Sequence, residues 1–229
     1  MAEDVAYRPE RAADPEAIAR AHAVYTPLAL AFYDVVVHRL SNRFAWRCPM
    51  KRLLGLYGAN LSASHLEAGA GTGLFLDRAG VDFERLVLLD INEHCLKRAA
   101  RRLARFEPTL RQANLLAPLD LDLASSAPFG SVGLTYVLHC LPGAMGDKLA
   151  VLDHLRPLMA EGAVLFGATI LGRGVPINAP ARALLDIYNA KGVFDNREDD
   201  IEALTQGLEA RFETVEICRQ GCVALFRAS

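Results

Sequence analysis

The stretch from His65 to Gly73, HLEAGAGTG, limits most strongly what this chain can fold into. At its start, Ser64–Ala68 has the composition of a short buried strand, and the chain from Leu74 onward has a helical pattern. Between them, glycines alternate with other residues at positions 69, 71 and 73. Glycine suits a sharp strand-to-helix turn whose backbone approaches a ligand, because a Cβ there would collide with the ligand. The stretch therefore predicts a ligand-binding turn, and a turn that serves packing alone is the alternative.

The spacing and charge of this turn bear on which ligand it binds. A dinucleotide fingerprint needs Gly-x-Gly-x-x-Gly, but counting from Gly69 places Leu74 at the last position. Glu67, just before the turn, would repel a pyrophosphate and is compatible with a cationic or zwitterionic ligand. An NAD(P)-dependent oxidoreductase is therefore a less favoured alternative.

A second strand with a carboxylate at its end follows the turn. Arg85–Asp90 (RLVLLD) has the apolar run of a strand buried on both faces. In an open α/β sheet the carboxyl ends of the strands face the ligand crevice, where a carboxylate can accept two hydrogen bonds from a ribose diol. We expect Asp90 to anchor a ribose.

Together these residues resemble a known family. Glu67, the three alternate glycines and Asp90 resemble the class I S-adenosylmethionine (SAM)-dependent methyltransferases of the small-molecule type. The resemblance extends, as an order of elements, from about Ser64 to the end of the chain. It implies an α/β fold, a doubly wound, mostly parallel, Rossmann-like sheet of seven strands with a C-terminal antiparallel hairpin and an N-terminal helical lid. It also implies SAM as cofactor and S-adenosylhomocysteine (SAH) as product.

The resemblance assigns a set of cofactor-binding residues. After a predicted third strand, Thr109–Gln112, the family commonly has an acidic residue that accepts a hydrogen bond from the adenine amino group; this chain has Asn114. An amide oxygen can accept the same bond without charge assistance, and a plain loop asparagine is the alternative. The predicted cofactor-binding residues are Glu67, Gly69, Ala70, Gly71, Gly73, Asp90, Ile91, Asn114, Leu115 and Tyr136.

The fourth strand is predicted at Ser131–Leu138, with His139 at its crevice-side exit. The resemblance places this exit beside the methyl donor. An imidazole titrates near neutral pH, so His139 is the candidate catalytic acid/base. A structural histidine bonded to the backbone is the alternative.

The remaining elements follow from apolar periodicity and capping signals. Helices are expected over Glu93–Phe106, within 143–161, over Ala179–Ala190, and from a cap at Asp199 to about Arg211. A fifth strand is expected at Ala163–Leu171, and a terminal hairpin at Thr214–Cys218 and Cys222–Arg227.

The first sixty residues are expected to form a helical cap. Asp14-Pro15, Thr26-Pro27 and Cys48-Pro49 are helix starts, and the third helix ends near Gly58. The predicted division is a lid over residues 1–60 and a SAM-binding catalytic domain over 61–229. Aromatic residues in the lid either line an acceptor pocket or fasten the helices to the sheet. The candidates for substrate contact are Tyr25, Tyr33, Trp46, Asn178, Tyr188 and Phe194.

Composition narrows the partners and the location. Apolar residues make up 52% of 229, and the formal charge of −2 gives no electrostatic footprint for nucleic acid. The acidic start lacks a secretory signal, and no apolar run is long enough to span a bilayer, so we expect a soluble cytoplasmic protein. Five cysteines without paired metal spacing, and strand exits without acidic ligands, predict a metal-free site.

The predicted function is methyl transfer from SAM to a small-molecule acceptor, with a secondary metabolite as one option, by metal-independent in-line displacement. The exit at Leu138–Leu141 lacks the Asp/Asn-Pro-Pro-Tyr/Phe signature of nucleobase methyltransferases. Nothing in the sequence separates O-, N- and C-methylation. One alternative is a cyclase-like or regulatory protein that binds SAM without transferring methyl groups. Another is a homodimer built on the first sixty residues.

Overall fold

The structure, a computed structural model, describes residues 41–119 and 128–229. The two helix starts predicted before residue 41, and the candidates Tyr25 and Tyr33, lie outside the described residues. Within the described ranges no helix is long and apolar enough to cross a membrane.

The elements are numbered here in chain order over the described residues. The helices are α1 Met50–Asn60, α2 Leu74–Arg78, α3 Glu93–Arg102, α4 Met145–Lys148, α5 Ala150–Leu155, α6 Ala179–Ala190 and α7 Ile201–Glu209. The strands are β1 Ser64–Ala68, β2 Arg85–Asp90, β3 Thr109–Gln112, β4 Phe129–Thr135, β5 Met159–Ile170, β6 Val215–Gln220 and β7 Val223–Ala228. Short 3₁₀ turns occupy Ala104–Phe106, Leu138–Cys140 and Arg156–Leu158.

The strands form one seven-stranded sheet in the order β3-β2-β1-β4-β5-β7-β6. Strands β1 to β5 run parallel to one another, and β7 is antiparallel to both of its neighbours, β5 and β6. The chain first builds outward from β1 to β3 and then returns to β4 on the other side of β1. This reversal leaves a crevice at the carboxyl ends of β1 and β4. The predicted doubly wound, mostly parallel seven-stranded sheet with a C-terminal antiparallel hairpin is confirmed, and the predicted lid lies mostly outside the described residues.

Both faces of the sheet are covered, which explains the nearly continuous apolar runs of its central strands. Along β2, Val87 and Leu89 pack into one core cluster, and Leu86 and Leu88 pack into a second cluster on the other face. Helix α1 packs against β5 and contributes Leu53 and Tyr57 to the second cluster. The sheet edge that carries the crevice is therefore held between two packed layers.

Several predicted bounds are confirmed: β1, β2, β3 and α6 lie where expected, and the terminal hairpin has each strand shifted by about a residue. The predicted fourth strand is wrong at both ends. Its pairing with β5 begins at Phe129, and it stops at Thr135 because Tyr136 has a left-handed φ of +62°.

Three helix predictions need correction. The helix expected from Glu93 to Phe106 ends at Arg102, and a 3₁₀ turn takes its last residues. The helical region within 143–161 is broken into short pieces, and β5 begins at Met159 because that residue pairs with Phe129. The cap of α7 is Asp200, not Asp199: Asp200 Oδ1 accepts a hydrogen bond from the Ala203 amide at 2.8 Å.

Asp199 is used instead in a buried ion pair. Lys148 Nζ lies 2.8 and 2.7 Å from the two carboxylate oxygens of Asp199, and the two side chains are 0% and 2% exposed. The same ammonium group donates to the carbonyl of Asp195, whose carboxylate accepts from the Gly143 amide at 2.8 Å. The pair therefore fastens the chain that leaves β4 to the loop that precedes α7.

Replacing Lys148 by Met should lower the free energy of unfolding by about 3 to 5 kcal/mol, because Asp199 would stay buried without its partner. Urea denaturation of the variant and the parent measures the difference. The double variant Lys148→Met/Asp199→Leu should recover most of the loss.

The matched control is the exposed pair of Arg197 and Asp186, 3.0 Å apart. Arg197→Met should change stability by about 1 kcal/mol or less, since solvent screens that pair. Equal losses in the buried and the exposed variants would contradict the role given to Lys148.

Candidate functional site

An open cleft lies at the carboxyl ends of β1, β2 and β4. The structure brings all ten of the predicted cofactor-binding residues to its wall. Because parallel strands end at the same edge of a sheet, residues far apart in sequence meet here. Their contact with a bound cofactor stays a prediction.

The three glycines of the turn have positive φ angles of +83°, +52° and +70°, a backbone region that favours glycine. A Cβ on Gly69 would lie 2.2 Å from Val137 Cγ2, so the close approach of the chain that leaves β4 forbids a side chain. A Cβ on Gly73 would lie 3.0 Å from Leu103 Cδ1 on the chain after α3. Gly71 has open space around it and lines the cleft, so its backbone is accessible to a ligand.

Hydrogen bonds tie this turn to the end of β2. The amides of Gly69 and Ala70 donate to the Leu89 carbonyl at 2.8 and 3.0 Å. The Gly71 amide donates to Asp90 Oδ2 at 3.0 Å, and the Asn92 amide donates to Asp90 Oδ1 at 2.9 Å. A carboxylate has about four acceptor sites, so these donors do not use all of them. The carboxylate is thus fixed in a position from which it can accept the two hydroxyls of a ribose.

Burial raises the pKa of Asp90 to about 6, and the backbone donors around it oppose that rise. The carboxylate is therefore ionised at neutral pH and becomes protonated in mild acid.

The second acidic group of the cleft is Glu67, at the end of β1. The Tyr57 hydroxyl donates to Glu67 Oε1 at 2.5 Å, and His65 Nε2 lies 2.9 Å from Oε2. Glu67 and Asp90 are the acidic members of the lining, and none of the described lining residues is Lys, Arg or His. Such a wall suits a cationic ligand and would repel a pyrophosphate, which weighs against the dinucleotide alternative.

Asn114 lines the cleft next to apolar residues of the loop after β3. Its Oδ1 accepts the Leu116 amide at 3.0 Å, as in an Asx turn. The predicted bond from an adenine amino group would use the other lone pair of this oxygen. Leu115 and Ile91 add apolar side chains to the same lining, as expected for a site that binds a planar base.

Sequence reasoning missed other lining residues. They are apolar, small or hydroxyl-bearing, and they occupy the start of α2, the first turn of α3 and the exit of β4. They include Thr72, Phe75, Cys95, Thr135, Val137, Cys140, Leu141 and Pro142. Their composition is that of ordinary core residues, so only their place beside the motifs could have marked them.

The structure does not place His139 on the described wall of the cleft. The ring is 3% exposed, and its Nδ1 accepts the Ile170 amide at 3.2 Å, which leaves the proton on Nε2. Burial, together with the charge of Lys148, lowers the pKa of His139 to about 3. The acid/base role stays a prediction, and this geometry favours the structural alternative.

The described acceptor-side candidates also lie off the described wall. Trp46 and Tyr188 both pack against Phe194, with ring centroids 6.2 and 4.8 Å apart, and Phe194 packs on His139 at 4.5 Å. Asn178 caps α6 by accepting the Ala181 amide at 2.8 Å. These contacts support the alternative in which the aromatic residues fasten their segments to the sheet.

Fold and site together define a class of protein. A glycine turn after the first strand, a carboxylate after the second and an antiparallel last strand in a seven-stranded sheet are the features of a class I SAM-dependent methyltransferase. The cleft fits SAM, because its two carboxylates can receive a ribose diol and a cationic group.

Comparison with known proteins leads to the same class. The sequence model of a family described as a methyltransferase domain matches residues 66–165. The demethylluteothin O-methyltransferase of Streptomyces thioluteus is 36% identical over 90% of this chain and 89% of its own length. The N-methyltransferase vrtF of Penicillium aethiopicum is 34% identical over 80% of this chain and 77% of its own. The chain therefore belongs to this methyltransferase family.

The solved DhpI–SAH complex has the same fold, with a TM-score of 0.64 at 14% identity over 94% of this chain and 98% of that chain. Membership of this family makes the protein a SAM-dependent methyltransferase. Among the described residues, no three His, Cys, Asp or Glu side chains converge as metal ligands. The metal-free site stays a prediction.

Lowering the pH from 7 to 5 should weaken SAM binding about tenfold. With a pKa of about 6, roughly nine in ten Asp90 carboxyls are protonated at pH 5. A protonated carboxyl cannot accept both ribose hydroxyls. Isothermal titration calorimetry across this range measures the change.

Asp90→Asn is the control: it should bind SAM weakly and lose this pH dependence. The ligand-free parent protein, in contrast, should become more stable as the pH is lowered from 7 to 5. The raised pKa means that the contribution of Asp90 to folding grows as the pH falls through 6. Unchanged SAM affinity of the parent between pH 7 and pH 5 would contradict the ribose assignment.

Proposed function

We propose that this enzyme methylates an acidic hydroxyl group, phenolic or enolic, on a small and largely apolar acceptor such as a secondary metabolite. Of the two relatives named above, the one with the higher identity and coverage is an O-methyltransferase by its name. The wall near the exit of β4, formed by Val137, Leu141 and Pro142, is apolar. A flat apolar acceptor would find contact area there without charged groups.

The observation that carries the proposal is the charge pattern of the cleft: Glu67 and Asp90 in its wall, with no basic side chain among the described lining residues. SAM, when bound, supplies a methyl group on a reactive sulfonium. Asp90 would hold the ribose, Glu67 would face the cationic part, and the open backbone at Gly71 would let the ligand approach closely. The apolar wall would exclude water and align the acceptor.

Alignment is the larger catalytic contribution, reaching roughly 7 to 11 kcal/mol for well-oriented groups. General-base help is smaller, typically about 10²- to 10⁴-fold. The carboxylates of Glu67 and Asp90 already accept hydrogen bonds. His139 Nδ1 accepts a hydrogen bond from the Ile170 amide, so none of these three groups is free to act as a base. An acceptor that ionises by itself, such as a phenol or enol, would need no enzyme base and no metal ion.

The remaining predictions belong to the same proposal. Residues 1–60 would act as the lid of the catalytic domain, and within this range α1 brings Tyr57 to Glu67. The cytoplasmic location and the homodimer stay predictions, which cell fractionation and gel filtration of the full chain would test.

SAM at about a hundred times its dissociation constant should stabilise the fold by about 2.7 kcal/mol. For a chain of this size the melting temperature should then rise by about 5 to 10 °C. Thermal unfolding with and without SAM measures the rise. NADH at the same concentration is the control and should give none; the reverse pattern would overturn the cofactor assignment.

Acceptor chemistry should determine the pH dependence of turnover. With 2-naphthol and a ring-nitrated 2-naphthol of lower pKa, kcat/KM should rise with pH through the pKa of each acceptor, because the acceptor ionises without an enzyme base. SAH release measures the rate, and 2-naphthylamine is the matched nitrogen acceptor.

His139→Asn should leave the position of this pH limb unchanged. A limb that stays at one pH for both naphthols and moves in His139→Asn would instead support the predicted general base. Turnover of the amine alone would overturn the proposal of O-methylation while leaving SAM binding intact.

A further inference from the structure

A buried column of polar groups runs along one face of β1 and β4 to the cleft. Ser62 Oγ lies 3.1 Å from Ser131 Oγ, which lies 2.8 Å from His65 Nδ1. The other ring nitrogen of His65 contacts Glu67, and the Tyr57 hydroxyl completes the column at 2.5 Å from Glu67 Oε1. Both oxygens of the Glu67 carboxylate are therefore held by separate groups.

Tyr57 is positioned by packing as well as by its hydrogen bond. It is fully buried on α1, and its ring lies 5.2 Å from Phe75 in a stacked arrangement and 5.0 Å from Phe166 edge to face. Burial and the neighbouring Glu67 raise the pKa of Tyr57 well above its ordinary value. The phenol thus remains protonated and acts as a donor to Glu67 throughout the physiological pH range.

A third element makes room for the same carboxylate. A Cβ on Gly133, in the middle of β4, would lie 2.2 Å from Glu67 Oε2. Glycine inside a strand usually weakens it and often marks a close approach of another group. Helix α1 and strands β1 and β4 therefore converge on one acidic side chain at the cleft.

This arrangement limits the orientations that the Glu67 carboxylate can adopt. A carboxylate bonded on both oxygens cannot rotate away, and a buried anion gains most from a cation placed beside it. We propose that Tyr57 is a positioning residue for cofactor recognition: it holds Glu67 toward the cationic methionine part of SAM, so that this part, and not only the nucleoside, determines affinity. The inference rests on the cofactor assignment above.

The test compares two ligands that share the nucleoside. 5′-Methylthioadenosine retains adenine and ribose but lacks the sulfonium and the amino acid group. Isothermal titration calorimetry of Tyr57→Phe should show SAM binding weakened about tenfold. Methylthioadenosine binding should change by less than about twofold, because the nucleoside contacts stay intact.

Two further variants separate positioning from loss of structure. Leu53→Val removes a methylene group from the other buried side chain of the same helix and should leave the ratio of the two dissociation constants unchanged. Gly133→Ala should displace the carboxylate with Tyr57 intact, and should raise the ratio as Tyr57→Phe does, which keeps the test usable if the latter folds poorly.

Equal weakening of both ligands in Tyr57→Phe and in Gly133→Ala, or unchanged SAM affinity in both, would overturn the proposal. Failure of the parent protein to bind SAM at all would overturn the cofactor assignment instead. The two failures are therefore distinguishable within one set of titrations.

Discussion

The close contact between the glycine turn and the end of β2 is the constraint on which the site depends. Two amides of the turn share the Leu89 carbonyl, and a third binds the Asp90 carboxylate. Left-handed backbone at three alternate positions makes this contact, and the chain that leaves β4 approaches one of them too closely for any side chain. The cleft exists because the turn folds back onto the neighbouring strand and leaves the backbone of Gly71 open.

The opposite wall depends on a second device. Tyr136 ends β4 in a left-handed conformation, which costs a non-glycine residue free energy and persists where the surroundings hold it. Its amide donates to the Ala168 carbonyl at 2.7 Å, and its hydroxyl donates to Asn42 at 3.1 Å. Just beyond, the buried pair of Lys148 and Asp199 fastens the following turn. Strain at the strand exit is thus balanced by polar contacts outside the cleft.

Sequence alone predicted the parts of this protein that local pattern determines. The apolar runs of β1 and β2, the glycine spacing and Asp90 all lie within a short stretch and have direct physical meaning. The end of β4 and the helix cap at Asp200 were predicted wrongly, and the burial of His139 could not be predicted. Each depends on a partner far along the chain. Asp199 pairs with a lysine 51 residues away, and His139 accepts a bond from an amide 31 residues away. Tyr57 likewise gains its role through contact across elements.

A crystal structure of the protein grown with SAM would show directly whether the two carboxylates hold the cofactor. We expect the ribose hydroxyls within hydrogen-bond distance of Asp90, the adenine beside Asn114 and Leu115, and the methionine part on the side of Glu67. A cofactor bound elsewhere, or one whose ribose lies away from Asp90 inside the cleft, would contradict this assignment of the site even though the fold would stand.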